Sequence, residues 1–225
     1  MNTMNYTFQF GEILANSDLL LRGLKLTIAL FAIAFSGALV CGLFISLARG
    51  SARRVPNLIA TAYIEIFRNT PVLVQLIWFY YALPSLSGWQ PSAFTAAALG
   101  LFLNTSAYCA EIWRAGLQSL PAGQWEAGRA IGMSEWQLLR RVAVPQALAR
   151  MMPAFTNRGV ELAKMTSIAS TITVQELMYE AKMLSTQTFL PLETFTIVAV
   201  IYFVLIYPGT LAAYALERRL NSKGA

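Results

Sequence analysis

Residues 26–48, LTIALFAIAFSGALVCGLFISLA, contain no charged side chain over 23 positions. Two further runs, 91–110 and 194–216, are uncharged over 20 and 23 positions. A helix of about 20 apolar residues is long enough to cross the hydrocarbon core of a bilayer. The three runs therefore predict three membrane-spanning helices.

The composition of the whole chain agrees with a membrane protein. Of its 225 residues, 56% are hydrophobic and only 12% are charged, and the mean hydropathy is +0.53. Such a chain is too apolar for a soluble domain and too short for more than one membrane bundle. Segments 58–83 and 142–168 are also long enough to span, although both contain charges, and we predict them as spans. The sequence thus predicts one domain over residues 1–225, an all-α polytopic membrane helix bundle with five spans at about 19–48, 58–83, 91–113, 142–168 and 192–216.

Basic residues are distributed unevenly between the two sides that five spans define. Three of them lie on one side, namely Arg22, Lys25 and Lys182. Ten lie on the other side, namely Arg49, Arg53, Arg54, Arg114, Arg129, Arg140, Arg141, Arg218, Arg219 and Lys223. Because Lys and Arg are enriched in cytoplasmic loops, the second side is predicted to be cytoplasmic, with the N-terminus outside and the C-terminus inside. The net charge of +6 is explained by basic loops on the cytoplasmic side, which face anionic lipid headgroups. It therefore does not indicate nucleic-acid binding.

The loop 121–141 is polar and basic in an otherwise apolar chain, and its turn signals predict a helical elbow. Pro121 suits the first turn of a helix, and Gly132 is a typical left-handed stop. Ser134 followed by Gln137 is a capping-box pattern, so a second helix should start at once, with Pro145 interrupting it later. Apolar side chains such as Trp136 stand among the charges, as expected of a surface that fits another protein's groove. The alternative is an ordinary amphipathic loop on lipid headgroups.

The missing residue types limit the chemistry of the chain. There is no His, and the two cysteines, Cys41 and Cys109, lie far apart in predicted spans. The commonest general base and metal ligand are therefore lacking, and we expect no catalytic residue, no metal and no cofactor. The sequence also lacks a Gly-rich phosphate loop, so we do not expect the chain to hydrolyse ATP itself. Two classes of protein stay open as alternatives, a secondary transporter and a membrane-embedded enzyme. Five spans without a second homologous half argue against a secondary transporter.

Charged residues inside the spans are the candidate functional residues, because an ionisable group near the bilayer centre costs at least about 2.5 kcal/mol and usually faces a partner or a cavity. Arg158, Glu161 and Lys164 recur at intervals of three in the fourth segment, and Thr166 and Ser167 follow them. We predict that this region lines a solute path together with polar residues of the second segment, namely Asn69, Thr70 and Gln75. Alternatively, Glu161 neutralises either cation, and the long basic side chains extend to the interface.

Two further pairs are spaced three residues apart on helical faces, Glu65 with Arg68 and Glu111 with Arg114. The first pair lies within the second segment and either neutralises itself or faces the path. The second pair ends the third span at the cytoplasmic interface. We predict that both pairs are interfacial ion pairs, and that Glu111 with Arg114 orients the elbow.

Three motifs resemble those of one transporter family. Glu126-Ala127-Gly128, then Gly132, then Val142 and Val144-Pro145 resemble the E-A-A, three residues, G, nine residues, I-x-L-P signature of membrane subunits of bacterial ABC importers. Gly128 replaces the third small residue, and two valines replace bulkier aliphatic residues. Segments 67–76 (FRNTPVLVQL), 110–116 (AEIWRAG) and 118–124 (QSLPAGQ) resemble those of the polar amino-acid uptake branch, the histidine, glutamine and glutamate permeases. The likeness covers about residues 21–219.

This resemblance implies the ABC type I importer permease fold and a bacterial inner-membrane location. Two permease subunits, identical or homologous, would pair, with two cytosolic ATP-binding subunits below and an extracytoplasmic solute-binding protein above. The elbow would be the helix gripped by the ATPase, with coupling residues Glu126, Ala127, Gly128, Gly132, Trp136 and Pro145. ATP would be bound by the partner subunit, and an amino acid would be the substrate.

Overall fold

The computed structural model describes residues 7–221, and it describes the side chains of these residues except 149 and 216–221. Lys223, one of the ten basic residues assigned to the cytoplasmic side, lies outside the described range. Every regular element between residues 7 and 221 is helical, so the predicted all-α class is confirmed. The helices are α1 (Phe10–Ala15), α2 (Ser17–Arg49), α3 (Arg54–Asn69), α4 (Val72–Ile77), α5 (Leu83–Ser87), α6 (Ala93–Gln118), α7 (Ala122–Ala130), α8 (Glu135–Leu138), α9 (Val144–Met165), α10 (Leu177–Thr188) and α11 (Pro191–Asn221). Two π-helical turns, Trp78–Ala82 and Leu139–Ala143, and one 3₁₀ helix, Thr166–Ile172, join some of them.

Within residues 7–221, three helices are long and apolar enough to cross a membrane, and they contain nearly all of the three uncharged runs. They are α2, α6 and the part of α11 from Pro191 to Ala215. The segment 58–83 is divided, because α3 ends at Asn69 and α4 begins at Val72. The segment 142–168 passes from a π-helical turn through α9 into the 3₁₀ helix. The membrane crossings of these two segments remain predictions.

Small residues let α2 and α6 lie close together along their lengths. Gly42 of α2 is buried against Cys109 of α6, and a Cβ atom placed on Gly42 would lie 2.7 Å from the Cβ of Cys109. One turn away, Ala38 is fully buried, and a Cβ on Gly37 would lie 3.1 Å from the Phe102 ring. Close backbone approach is the usual use of small residues in membrane helices. The pair α2 and α6 therefore forms the centre of the bundle.

A buried carboxylate connects the other end of α2 to the last two helices. Glu176 is fully buried and accepts hydrogen bonds from the backbone N–H groups of Met178 and Tyr179, so it caps the N-terminus of α10. Its other contacts come from the hydroxyls of Thr27 on α2 (3.3 Å) and Tyr202 on α11 (3.2 Å). Four donors around one carboxylate compensate for its removal from water. This contact fixes α10 and α11 beside α2.

Replacing Gly42 with Ala tests the close packing of α2 on α6. The added methyl group would meet Cys109 and the backbone of α6, so we expect a loss of about 1–3 kcal/mol in stability, measured as a lower Tm of the purified protein in detergent.

The matched control is Gly209→Ala in α11, where an added Cβ has no neighbour within 4 Å and Ala favours the helix. Its Tm should be unchanged or slightly raised. An equal Tm for both variants would contradict the proposed packing.

Candidate functional site: a polar cavity and an exposed elbow

The junction between α3 and α4 leaves one backbone carbonyl without its helical partner. Pro71 has no N–H group and cannot donate to the carbonyl of Phe67, four residues earlier. Thr70 is extended, with φ −105° and ψ 131°, as is typical of a residue before proline. Two side-chain amides replace the missing donor: Nε2 of Gln75 donates to the Phe67 oxygen at 2.9 Å, and Nδ2 of Asn104 donates to it at 2.8 Å. The Phe67 carbonyl at the break is therefore hydrogen-bonded although its helical donor is missing.

Arg158 of α9 is the central charged residue of this region, and it is only 4% exposed. Its Nη1 donates to Glu161 at 2.8 Å, and its Nη2 donates to Oδ1 of Asn104 at 2.6 Å and to Thr105 at 3.4 Å. Its Cζ lies 3.9 Å from the centre of the Tyr108 ring, which is close enough for a cation–π contact. The Nε atom is buried without a hydrogen-bond partner in the described part of the chain. Arg158 is thus held on one edge and one face, with donor capacity left over.

A cavity of about 360 Å³ lies between the helix break and Arg158. It has a mixed polar and charged lining that comes from the end of α3, the start of α4, the middle of α6 and the C-terminal half of α9. The lining residues are Arg68, Asn69, Thr70, Pro71, Val72, Asn104, Tyr108, Arg158, Glu161 and Met165. The cavity therefore offers a guanidinium and a carboxylate beside neutral hydrogen-bonding groups.

Of the eight residues predicted to line a solute path, the structure brings four together here: Asn69, Thr70, Arg158 and Glu161. Lys164 and Ser167 instead line a neighbouring cavity of about 430 Å³ between α9 and α11.

The other two predicted path residues make local contacts. Gln75 is buried, and its amide N–H groups donate to the Phe67 and Thr70 carbonyls. Thr166 is buried and donates to the carbonyl of Ala163. Neither residue lines the cavity beside Arg158.

The sequence left two alternatives for Asn104, the path or a partner subunit, and gave no role in the path to Tyr108 or Met165; all three line the cavity. The sequence does indicate a special role for Asn104, because an amide in the middle of an uncharged span needs a hydrogen-bond partner. Tyr108 lies one helical turn beyond Asn104 on the same face of α6.

The second charged cluster surrounds one carboxylate, that of Glu111. It pairs with Arg114 at 2.9 Å, as the spacing predicts, and also with Arg49 of α2 and with Arg68 of α3 at 3.8 Å. Glu65 lies 3.9 Å from Arg49, so Arg68 pairs with Glu111 and not with its neighbour three residues away. The cluster joins the ends of α2, α3 and α6 near the start of the elbow.

The elbow consists of α7, a tight turn and α8. Gly132 has a φ of +78°, which confirms the predicted left-handed stop, and Ser134 with Gln137 forms the predicted capping box. Gly128 is buried, and a Cβ on it would lie 2.7 Å from Cδ1 of Leu138, so α7 and α8 meet at this glycine. The predicted interruption near Pro145 is a change of helix type and not a break in the chain's helical path. The α-helix α8 ends at Leu138, Val144 donates to the Leu139 carbonyl across a π-helical turn, and α9 begins with Pro145 in its first turn.

The outer surface of the elbow is exposed and mixed in character. Ile131 is 78% exposed and Trp136 is 56% exposed, and Glu126 and Ala127 are exposed beside them. Arg129 bonds to Glu135 at 2.8 Å, and this hydrogen bond raises the pKa of the Arg129 guanidinium above its usual value. Large apolar side chains next to ion pairs are typical of a surface that contacts another protein.

Apolar spanning helices, a polar cavity among them and an exposed elbow together define a membrane transport subunit. The chain belongs to the family of binding-protein-dependent transport system inner membrane components, which it matches over residues 38–222. The predicted resemblance to importer membrane subunits is thereby confirmed. This family consists of transport components, not enzymes.

Individual relatives agree over nearly the whole chain. It is 35% identical to the glutamine transport system permease protein GlnP of Escherichia coli K12 over 215 residues, which cover 95% of this chain and 98% of that protein. It is 40% identical to the octopine transport system permease protein OccM of Rhizobium meliloti over 194 residues, covering 83% and 79%. The crystal structure of an amino acid ABC transporter with histidines has a chain that matches with a TM-score of 0.86 and 36% identity, covering 95% and 100%.

Proposed function

We propose that this chain is the permease subunit of an ATP-driven ABC importer for a polar or charged amino acid, and that the cavity beside Arg158 lies on its solute path. The observation that carries this proposal is the lining of the cavity by Arg158, Glu161, Asn69 and Thr70. An amino acid brings a carboxylate and an ammonium group, which a guanidinium and a carboxylate recognise by charge-assisted hydrogen bonds. Relatives named for glutamine and octopine transport support the substrate class.

The elbow is the proposed docking site for a cytosolic ATP-binding subunit, which would bind the ATP. Its coupling residues are Glu126, Ala127, Gly128, Gly132 and Trp136, with Pro145 at the entry to α9. The exposure of Trp136 and Ile131 supports this role, since aromatic side chains often dominate binding energy at protein interfaces. The orientation that places the elbow in the cytoplasm, with the N-terminus outside and the C-terminus inside, rests on the unequal Lys and Arg distribution.

The complete importer would contain two permease subunits, identical or homologous, two ATP-binding subunits and an extracytoplasmic solute-binding protein. A ligand shifts a conformational equilibrium only if it binds one state better than the other. The solute-binding protein and ATP would therefore act through contacts that differ between outward-facing and inward-facing forms. In this chain, the break after Asn69 and the elbow are the elements that we expect to move when the solute-binding protein and ATP bind.

Glu161→Gln tests the solute path. Removing the carboxylate should reduce uptake of the transported amino acid by at least about tenfold, because a charge-assisted bond to its ammonium group is lost. Uptake is measured in membranes matched for the abundance of this chain. Glu12→Gln, an exposed carboxylate on α1, is the control and should leave uptake unchanged. Wild-type uptake of every candidate amino acid by the Glu161→Gln variant would remove Glu161 from the site.

Trp136→Ala tests the docking surface. The variant should retain less than about a tenth of the ATP-binding subunit that copurifies with the wild-type chain, because a large apolar contact is lost. Trp89→Ala is a matched control, since Trp89 is 50% exposed and Trp136 is 56% exposed. Full retention of the ATP-binding subunit by Trp136→Ala, or equal loss in both variants, would refute the assignment of the elbow.

A further inference from the structure

Asn104 joins two parts of the cavity that come from different helices. It lies in the middle of α6 and is only 4% exposed. Its Nδ2 donates to the Phe67 carbonyl at the end of α3, and its Oδ1 accepts from Nη2 of Arg158 on α9. Both groups of one amide are therefore used, and each fixes a different wall of the cavity.

At 2.6 Å, the bond to Asn104 is the shortest hydrogen bond of the Arg158 guanidinium within the described part of the chain. An arginine side chain is long and flexible, but its donors form a rigid planar fork that recognises a carboxylate in only a few orientations. Tyr108 supports the face of this fork, and Glu161, which is exposed, binds Nη1. Because Asn104 is buried, its hydrogen bond holds the plane of the Arg158 guanidinium in one orientation.

An amide has an advantage over a carboxylate at this position. It accepts a hydrogen bond from Arg158 without adding a second negative charge beside a guanidinium that already pairs with Glu161. It can also donate to the Phe67 carbonyl, which a carboxylate cannot do. The chemistry of the contact thus requires the two functions that Asn combines.

We infer that Asn104 is a positioning residue for the transported amino acid, which acts by orienting the Arg158 guanidinium relative to Asn69 and Thr70. This inference rests on the proposed solute path. It assigns substrate affinity to a residue that need not touch the substrate.

Equilibrium binding to the purified permease–ATPase complex, without the solute-binding protein, tests this role. The probes are tritium-labelled L-glutamine, L-arginine and L-histidine, and the variants are compared with the probe that the wild type binds best. Asn104→Leu has a similar size but makes neither hydrogen bond. We expect it to weaken binding by at least about tenfold at an unchanged number of sites. A defect of folding alone would lower the number of sites instead.

Gln75→Leu is a comparison variant, because Gln75 donates to the same Phe67 carbonyl, and to that of Thr70, but does not bond to Arg158. Its affinity should stay within about threefold of the wild type. Ser106→Ala, which removes a buried hydroxyl of α6 that bonds to Tyr63, should bind like the wild type. If Asn104→Leu does not assemble with the ATPase, Asn104→Ala removes the same two bonds with less steric change.

Arg158→Lys separates failure of this inference from failure of the proposed function. If Arg158→Lys binds the probe as well as the wild type, the proposed path is wrong and the inference fails with it. If Arg158→Lys binds weakly but the Asn104 variants bind like the wild type or like Gln75→Leu, only the inference is overturned. Weak binding by both the Arg158 and Asn104 variants, with unchanged controls, supports it.

Discussion

A guanidinium group removed from water inside an apolar bundle must be satisfied by its own protein, and Arg158 imposes this constraint on the cavity. The cost of burying a charged group is offset only by specific partners that pair with it and accept its hydrogen bonds. Those partners are Asn104 and Tyr108 on α6 and Glu161 on α9 itself. The requirement therefore fixes how α9 is rotated against α6, and with it which side chains face the cavity.

The same requirement acts on the backbone at the end of α3. Pro71 removes one helical donor, and the amides of Gln75 and Asn104 supply replacements for the Phe67 carbonyl. Asn104 therefore serves both the buried charge and the broken helix. Because Asn104 bonds both to the end of α3 and to Arg158, a shift of α3 and α4 relative to α6 would move the Arg158 guanidinium. A gated path needs a mechanical connection of this kind.

Local signals were sufficient for much of the chain. The uncharged runs predicted α2, α6 and α11, and the capping box at Ser134 and the glycine stop at Gly132 were confirmed, because each depends on residues adjacent in sequence. The partner of Arg68 could not be predicted this way, since Glu111 comes from another helix. The interruption near Pro145 takes the form of a π-helical turn, which the proline alone did not predict. The contacts of Arg68 and Arg158 with the Tyr108 ring, at 5.2 Å and 3.9 Å from its centre, likewise depend on tertiary packing.

Tertiary packing also explains why the predicted path residues are divided between two cavities. Helical spacing placed Arg158, Glu161 and Lys164 on one face, but the cavity beside α6 includes only the first two, and Lys164 faces α11. The order of helices around α9 decides this, and it is set by the glycine contacts of α2 and by the buried Glu176. Family resemblance identified the class of protein, whereas the position of each charge required the packed structure.

Thiol labelling at Thr70 tests the central claim most directly. Thr70→Cys is made in a chain with Cys41→Ala and Cys109→Ala, assembled with its ATPase, and its reaction with a small methanethiosulfonate reagent is timed. If the cavity lies on the solute path, the transported amino acid will slow the reaction and ATP will change its rate. A rate that is the same with and without every amino acid and nucleotide would contradict the account.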